Sequence, residues 1–129
     1  MSEHEEIMES IGKSMGFVPE IMRMMGELDP SSAKMYKRCE ENIQKDGALS
    51  GKVKTLMAMG IVASQLCESC VEAQMRSALH KGATKEEIIE TLGVVFVTSG
   101  APAVAACKRA LKMLEMEAGK RPSQEGMCD

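Results

Sequence analysis

A chain of 129 residues with 44% hydrophobic and 27% charged side chains has the ordinary balance of one folded domain rather than of a disordered segment. Its net charge of -3, with 16 basic residues interleaved among 19 acidic ones, provides no clustered Lys and Arg for a phosphate backbone and argues against nucleic acid as a partner. The acidic start Ser2-Glu3-His4-Glu5-Glu6 lacks the positive charge of a secretory signal, and no apolar run reaches membrane-spanning length, so the expectation is a cytoplasmic protein with no membrane partner.

In chain order, Ile7, Met8, Ile11 and Met15, then Val18, Ile21, Met22 and Met25, recur at helical spacing on either side of Gly16-Phe17, which predicts two short helices between Glu5 and Leu28. Asp29-Pro30 is an N-cap followed by proline at the first helical position. It opens a helix with Met35, Tyr36, Cys39 and Ile43 on one face, stopped at Asp46-Gly47. Ser50 is placed to cap a segment from Lys52 to Leu66 that is apolar nearly all round, which predicts burial on most sides. A more amphipathic helix follows Cys67 and closes at Gly82, and Thr84 with Glu87 forms a capping box for the next. That helix is so apolar toward Val94, Val95, Phe96 and Val97 that its surplus face points to a subunit interface, although its β-branched content also leaves a strand reading open. Pro102 opens a last helix running to Ala118. The expectation is an all-α domain of six or seven helices over residues 1–118, with a disordered tail over 119–129. Thirteen Met and three aromatics suit a close-packed helical core, and Gly12, Gly16, Gly26 and Gly47 read as helix punctuation rather than as a phosphate cradle.

The chemistry concentrates in Cys67-Glu68-Ser69-Cys70. Two intervening residues let one helical turn bring both sulfurs within disulfide reach, and a helix start offers free N–H groups and partial positive charge that favour thiolate over thiol. Glu68, a carboxylate in the same turn, works the other way. Two other readings stay open on these residues alone: both cysteines as small apolar core side chains, or both as ligands of zinc or an iron–sulfur cluster completed by Cys39, Cys107 or another subunit. Cys39 and Cys107 fall on apolar faces and read as core, while Cys128 sits in the tail. His80 lies ten residues beyond Cys70, about 15 Å along a helix, too far to share a metal from that helix. It and His4 read as solvated, and no Ser-His-Asp set can be assembled.

The stretch Lys52 to Gly82, with Lys-Val-Lys-Thr-Leu-Met-Ala-Met-Gly, then Cys-Glu-Ser-Cys-Val-Glu-Ala-Gln and Ala-Leu-His-Lys-Gly-Ala-Thr, resembles the alkylhydroperoxidase D-like, carboxymuconolactone decarboxylase family. The resemblance continues through Glu86-Glu87-Ile88 to Gly100-Ala101-Pro102 and includes Gly16-Phe17-Val18-Pro19. It implies an all-helical fold assembled into trimers or hexamers, with a redox pair at a helix start. In the family's peroxidase branch it also implies a proton relay of a glutamate and two histidines. This chain has Thr55, Ser69 and Gln74 at those positions, none of which exchanges a proton near neutral pH. The decarboxylase branch does not generally rely on a cysteine pair. Thiol–disulfide exchange needs only an attacking thiolate, a resolving thiol and access. The expected function is therefore reduction of disulfides in proteins or small thiols by Cys67 and Cys70, with a separate electron donor and no cofactor. A weak peroxidase and a metal-binding or non-catalytic oligomer remain the alternatives.

Overall fold

The structure, a computed structural model, describes residues 2–120, with side chains described through residue 116. It is all-helical: α1 (Glu3–Met15), α2 (Glu20–Leu28), α3 (Pro30–Gln44), α4 (Gly51–Ser64), α5 (Glu68–His80), α6 (Lys85–Ser99), α7 (Ala101–Ala105) and α8 (Lys108–Lys120), with no strand among the described residues. The segment for which a strand was conceivable is the second half of α6, held in helix by the Thr84–Glu87 capping box expected from sequence. Asp29 and Ser50 likewise cap α3 and α4, through Ser31 N–H and Val53 N–H.

Among the described residues there are eight helices rather than six or seven, because the segment expected as one helix from Pro102 is two. Cys107 N–H bonds to Val104 O at 2.9 Å, three residues back, while the Cys107 thiol takes the Ala103 carbonyl at 3.4 Å; the helix restarts where Leu111 N–H bonds to Cys107 O. The end of α8 at Lys120 lies two residues past the expected boundary. The remainder of the expected tail, with Cys128, lies outside the described residues.

Two apolar clusters hold these helices. The larger takes Leu56, Met59 and Ala63 from α4, Val71, Met75 and Ala78 from α5, Ile88, Leu92 and Val95 from α6, and Ala103, Cys107, Ala110 and Leu114 from the C-terminal helices. The smaller joins Ile7, Met8, Ile11 and Met15 of α1 to Ala33 of α3, with Phe17, Val18 and Tyr36 packed against it. Sequence expectation is corrected at α4, which is buried on one side only. Thr55, Leu56, Met59 and Ala63 face inward, whereas Met57 and Ile61 remain 51% and 57% exposed. The outer faces of α4 and α6 frame an apolar groove of about 530 Å³. Cys39, expected in the core, is exposed on α3, while Cys107 is buried as expected.

Glycine roles also sort differently from the sequence reading. Gly12 and Gly26 lie inside α1 and α2, and a Cβ on Gly26 would come within 2.6 Å of the His4 ring, so this glycine lets α1 and α2 approach closely. His4, expected in solvent, is half-buried over it. Gly16 does end α1, in the left-handed region at φ 87°, and a Cβ there would meet His80 Cγ at 2.6 Å. Gly16→Ala is therefore expected to destabilise the fold by about 1–3 kcal/mol, read as a lower urea midpoint at unchanged slope.

Candidate active site

The disulfide-bonded pair Cys67–Cys70 is built by the turn between α4 and α5. Cys67 N–H reaches back to Val62 O at 3.2 Å and Leu66 N–H to Ala63 O at 2.9 Å, the paired bonds of a Schellman closure. The left-handed position is occupied by Leu66, at φ 61° and 56% exposed, rather than by glycine. A branched side chain in this region costs of order 1 kcal/mol. The turn carries that strain one residue before the cysteines, and no glycine marks it in the sequence.

Cys67 then serves as N-cap of α5 and Cys70 lies in its first turn. The two sulfurs are joined in a disulfide with Cα atoms 5.2 Å apart. Cys67 makes no side-chain cap bond, so the first-turn N–H groups of α5 are left to a thiolate in the reduced form. Both cysteines are half-buried, and Ser69 Oγ lies 3.7 Å from Cys67 Sγ.

Access differs between the two. A cleft of about 530 Å³ opens over Cys70, walled on one side by Met15, Phe17, Pro19, Ile21 and Tyr36 and on the other by Ser69, Glu72, Ala73, Gln74, Arg76 and Arg109; Cys67 is not among its lining residues. Its charges are ordered: Glu72 is paired with Arg109 at 2.7 Å, and the Arg76 guanidinium lies 3.9 Å from the centre of the Phe17 ring. Of these cleft residues the sequence singles out only Cys70, Ser69 and Gln74 as part of a site, because the named residues come from four separate stretches of chain.

The other sequence candidates fall elsewhere. Thr55 is fully buried and donates to Gly51 O at 2.8 Å, a closed local bond within α4. Gln74 and Ser69 do line the cleft. His80 is exposed at the end of α5, where its Nε2–H donates to Lys13 O at 3.0 Å and ties α5 to α1. Among the described residues no three His, Cys, Asp or Glu side chains are gathered to hold a metal ion. Cys107 is enclosed by the larger core, where burial pushes its thiol pKa up.

A buried polar group that sequence reasoning missed sits behind the cleft wall. Glu40 is buried on α3, one turn after Tyr36, accepting from Gln44 Nε2 at 2.9 Å, and Lys81 donates to Ser77 Oγ at 2.7 Å and to Ser14 O at 3.2 Å. Burial raises the Glu40 carboxyl above its ordinary 4.5, against the lowering influence of Gln44 and Lys81. A raised folded value means that Glu40 contributes stability that is complete below about pH 4.5 and lost as pH rises through that higher value. Glu40→Gln, which cannot ionise, is expected to gain stability relative to the parent as pH rises from 4 to 7, seen in paired urea titrations at the two pH values.

The profile of the Carboxymuconolactone decarboxylase family matches residues 30–113, from the start of α3 into α8 and across the cysteine pair. The chain belongs to this family. An uncharacterised protein of Methanocaldococcus jannaschii is 38% identical over 100 residues, spanning 77% of this chain and 93% of that protein. Two solved structures share the fold. A Burkholderia xenovorans protein assigned as a carboxymuconolactone decarboxylase superposes with a TM-score of 0.72 at 23% identity, over 92% of this chain and 99% of the other. A carboxymuconolactone decarboxylase family protein from Legionella pneumophila gives 0.68 at 24%, over 90% and 97%. The family match leaves α1 and α2 outside it, although Phe17 and Ile21 complete the cleft wall.

Proposed function

We propose that this family member is a thiol–disulfide oxidoreductase that reduces disulfides with Cys67 and Cys70. The observation that carries the reading is a bonded cysteine pair at a helix start with only its second member opening on a cleft. In the reduced form the Cys70 thiolate attacks one sulfur of the substrate. A Cys70–substrate disulfide forms, the substrate S–S bond breaks, and the first thiol departs as thiolate and takes a proton from solvent. Cys67, favoured as a thiolate by the N–H groups of α5, then attacks Cys70 Sγ, closing the Cys67–Cys70 bond and releasing the second thiol. Two electrons pass from the pair to the substrate, and a dithiol donor restores them. Nothing in this sequence needs a proton relay, which fits Thr55 being locked to Gly51 O rather than facing the cysteines.

The test is reduction of insulin disulfides by the purified protein with a dithiol donor. Turnover above the donor's own rate, lost in both Cys67→Ser and Cys70→Ser, is the expected result. A rate equal to the donor alone, or one unchanged in either variant, sinks the proposal.

The same proposal includes a cytoplasmic, homo-oligomeric protein. Among the described residues no helix is long and apolar enough to cross a membrane. Val94, Phe96 and Val97 on α6 are 64%, 58% and 85% exposed, and Val94 also lines the α4–α6 groove, which leaves apolar surface suited to a second copy of the chain. Val97→Asp is expected to lower the mass measured by light scattering toward that of one chain. A mass unchanged from the parent would remove this face from the assembly.

A further inference from the structure

The cleft over Cys70 carries a charge pattern that selects among disulfides. Its Glu72 carboxylate is already matched by Arg109 at 2.7 Å, and Glu20 lines the cleft mouth from the start of α2, exposed and without an ion pair among the described residues. Arg76 is different. It lines the same cleft, has no carboxylate partner among the described residues, and its guanidinium carbon lies 3.9 Å from the centre of the Phe17 ring, a contact that steadies the group on one side. Arg76 follows Cys70 by six residues, about 9 Å along the axis of α5, and helical side chains lean toward the N-terminus, which brings the guanidinium back toward the cysteine across the small Ala73. The volume, about 530 Å³, lies in the range of small-molecule sites.

Resting on the disulfide-reductase reading above, we infer that the preferred substrates are low-mass disulfides bearing a carboxylate a few bonds from the sulfur, and that Arg76 is the residue that selects them. Such a molecule places its disulfide at Cys70 and its carboxylate on the Arg76 guanidinium, where a planar, charge-assisted pair forms. The electron count is that of the exchange already described: two electrons leave the Cys67–Cys70 dithiol, the substrate S–S bond becomes two thiols, and the dithiol donor resets the pair. Arg76 takes no part in the bond changes. It is a positioning residue, so its effect must depend on substrate charge.

The experiment mixes pre-reduced full-length protein, freed of donor, with 3,3′-dithiodipropionate, bis(2-hydroxyethyl) disulfide or cystamine, which are dianionic, neutral and dicationic at pH 7, and follows thiol loss from the cysteine pair. The parent is compared with Arg76→Met and Arg76→Lys for each substrate, so that the intrinsic reactivity of each disulfide cancels. The expected result is a rate constant for the dianion about tenfold lower in Arg76→Met. The neutral rate should stay within about twofold, the dication should be unchanged or faster, and Arg76→Lys should recover part of the loss. The dianion effect should also shrink with added salt. Equal losses with all three substrates would make Arg76 merely structural and overturn the inference, as would an unchanged dianion rate. If the parent reacts with none of the three and also fails on insulin, the reductase reading itself falls. Reaction with all three and no charge dependence removes only the selectivity.

Discussion

Cys67→Ser is expected to turn the protein from a catalyst into a trap, and Cys70→Ser to make it capture substrate far more slowly. Turnover should fall by roughly two orders of magnitude or more in both variants, because residues that act as a unit lose their function together. The difference lies in what accumulates. With Cys67 replaced, Cys70 still opens on the cleft and can attack, but no resolving sulfur stands 5.2 Å away by Cα to release the mixed disulfide. Intact-mass measurement should then find one substrate thiol on Cys70. With Cys70 replaced, Cys67 remains half-buried at the N-cap, outside the cleft, and should form the adduct far more slowly even though α5 favours its thiolate. Cys39 is exposed, so the experiment is best run with Cys39 and Cys128 changed to Ser in every variant. An adduct that forms faster on Cys67 than on Cys70 would reverse the roles and show that thiolate stability outweighs access here.

Much of this arrangement is legible in the sequence, and what is not follows a pattern. Local signals succeeded: Asp29-Pro30, Ser50 and the Thr84–Glu87 box each set a helix start through a side chain bonding an N–H two or three residues away. The Cys67–Cys70 pairing is legible for the same reason, since its geometry closes within one turn of helix. Signals that depend on distant partners failed. Cys39 shares a helix face with Met35, Tyr36 and Ile43 yet is exposed on α3, and α4 reads as buried on most sides although only its Thr55–Leu56–Met59–Ala63 side meets the core. Leu66 in a left-handed turn gave no warning, because only glycine or asparagine announces that conformation. The cleft itself was invisible. Phe17, Tyr36, Arg76 and Arg109 lie far apart along the chain and meet only after α1, α3, α5 and α8 have packed.

Ile11→Ala should show that the cleft wall is a separately breakable part of the fold. Ile11 is fully buried in the smaller cluster, between Ile7, Met8 and Met15 of its own helix and Ala33 of α3, and truncation of such a side chain costs about 2–5 kcal/mol. The larger cluster shares none of these residues, so the loss should fall first on α1 and α3. Amide exchange should speed up there while α4 and α6 keep their protection. Met75→Ala makes the comparison. Met75 is equally buried, but α5 packs on both α1 and α4, so its truncation should lower protection across the whole molecule. The functional consequence separates the two further. Phe17 and Tyr36 pack on the smaller cluster and wall the cleft, so loosening it should raise KM for any substrate held there. The Cys67–Cys70 exchange, built by the α4–α5 turn alone, should persist in Ile11→Ala. If Ile11→Ala unfolds the whole chain in one step with α4 and α6 exposed together, the two clusters are one cooperative unit and the wall cannot loosen independently of the redox turn.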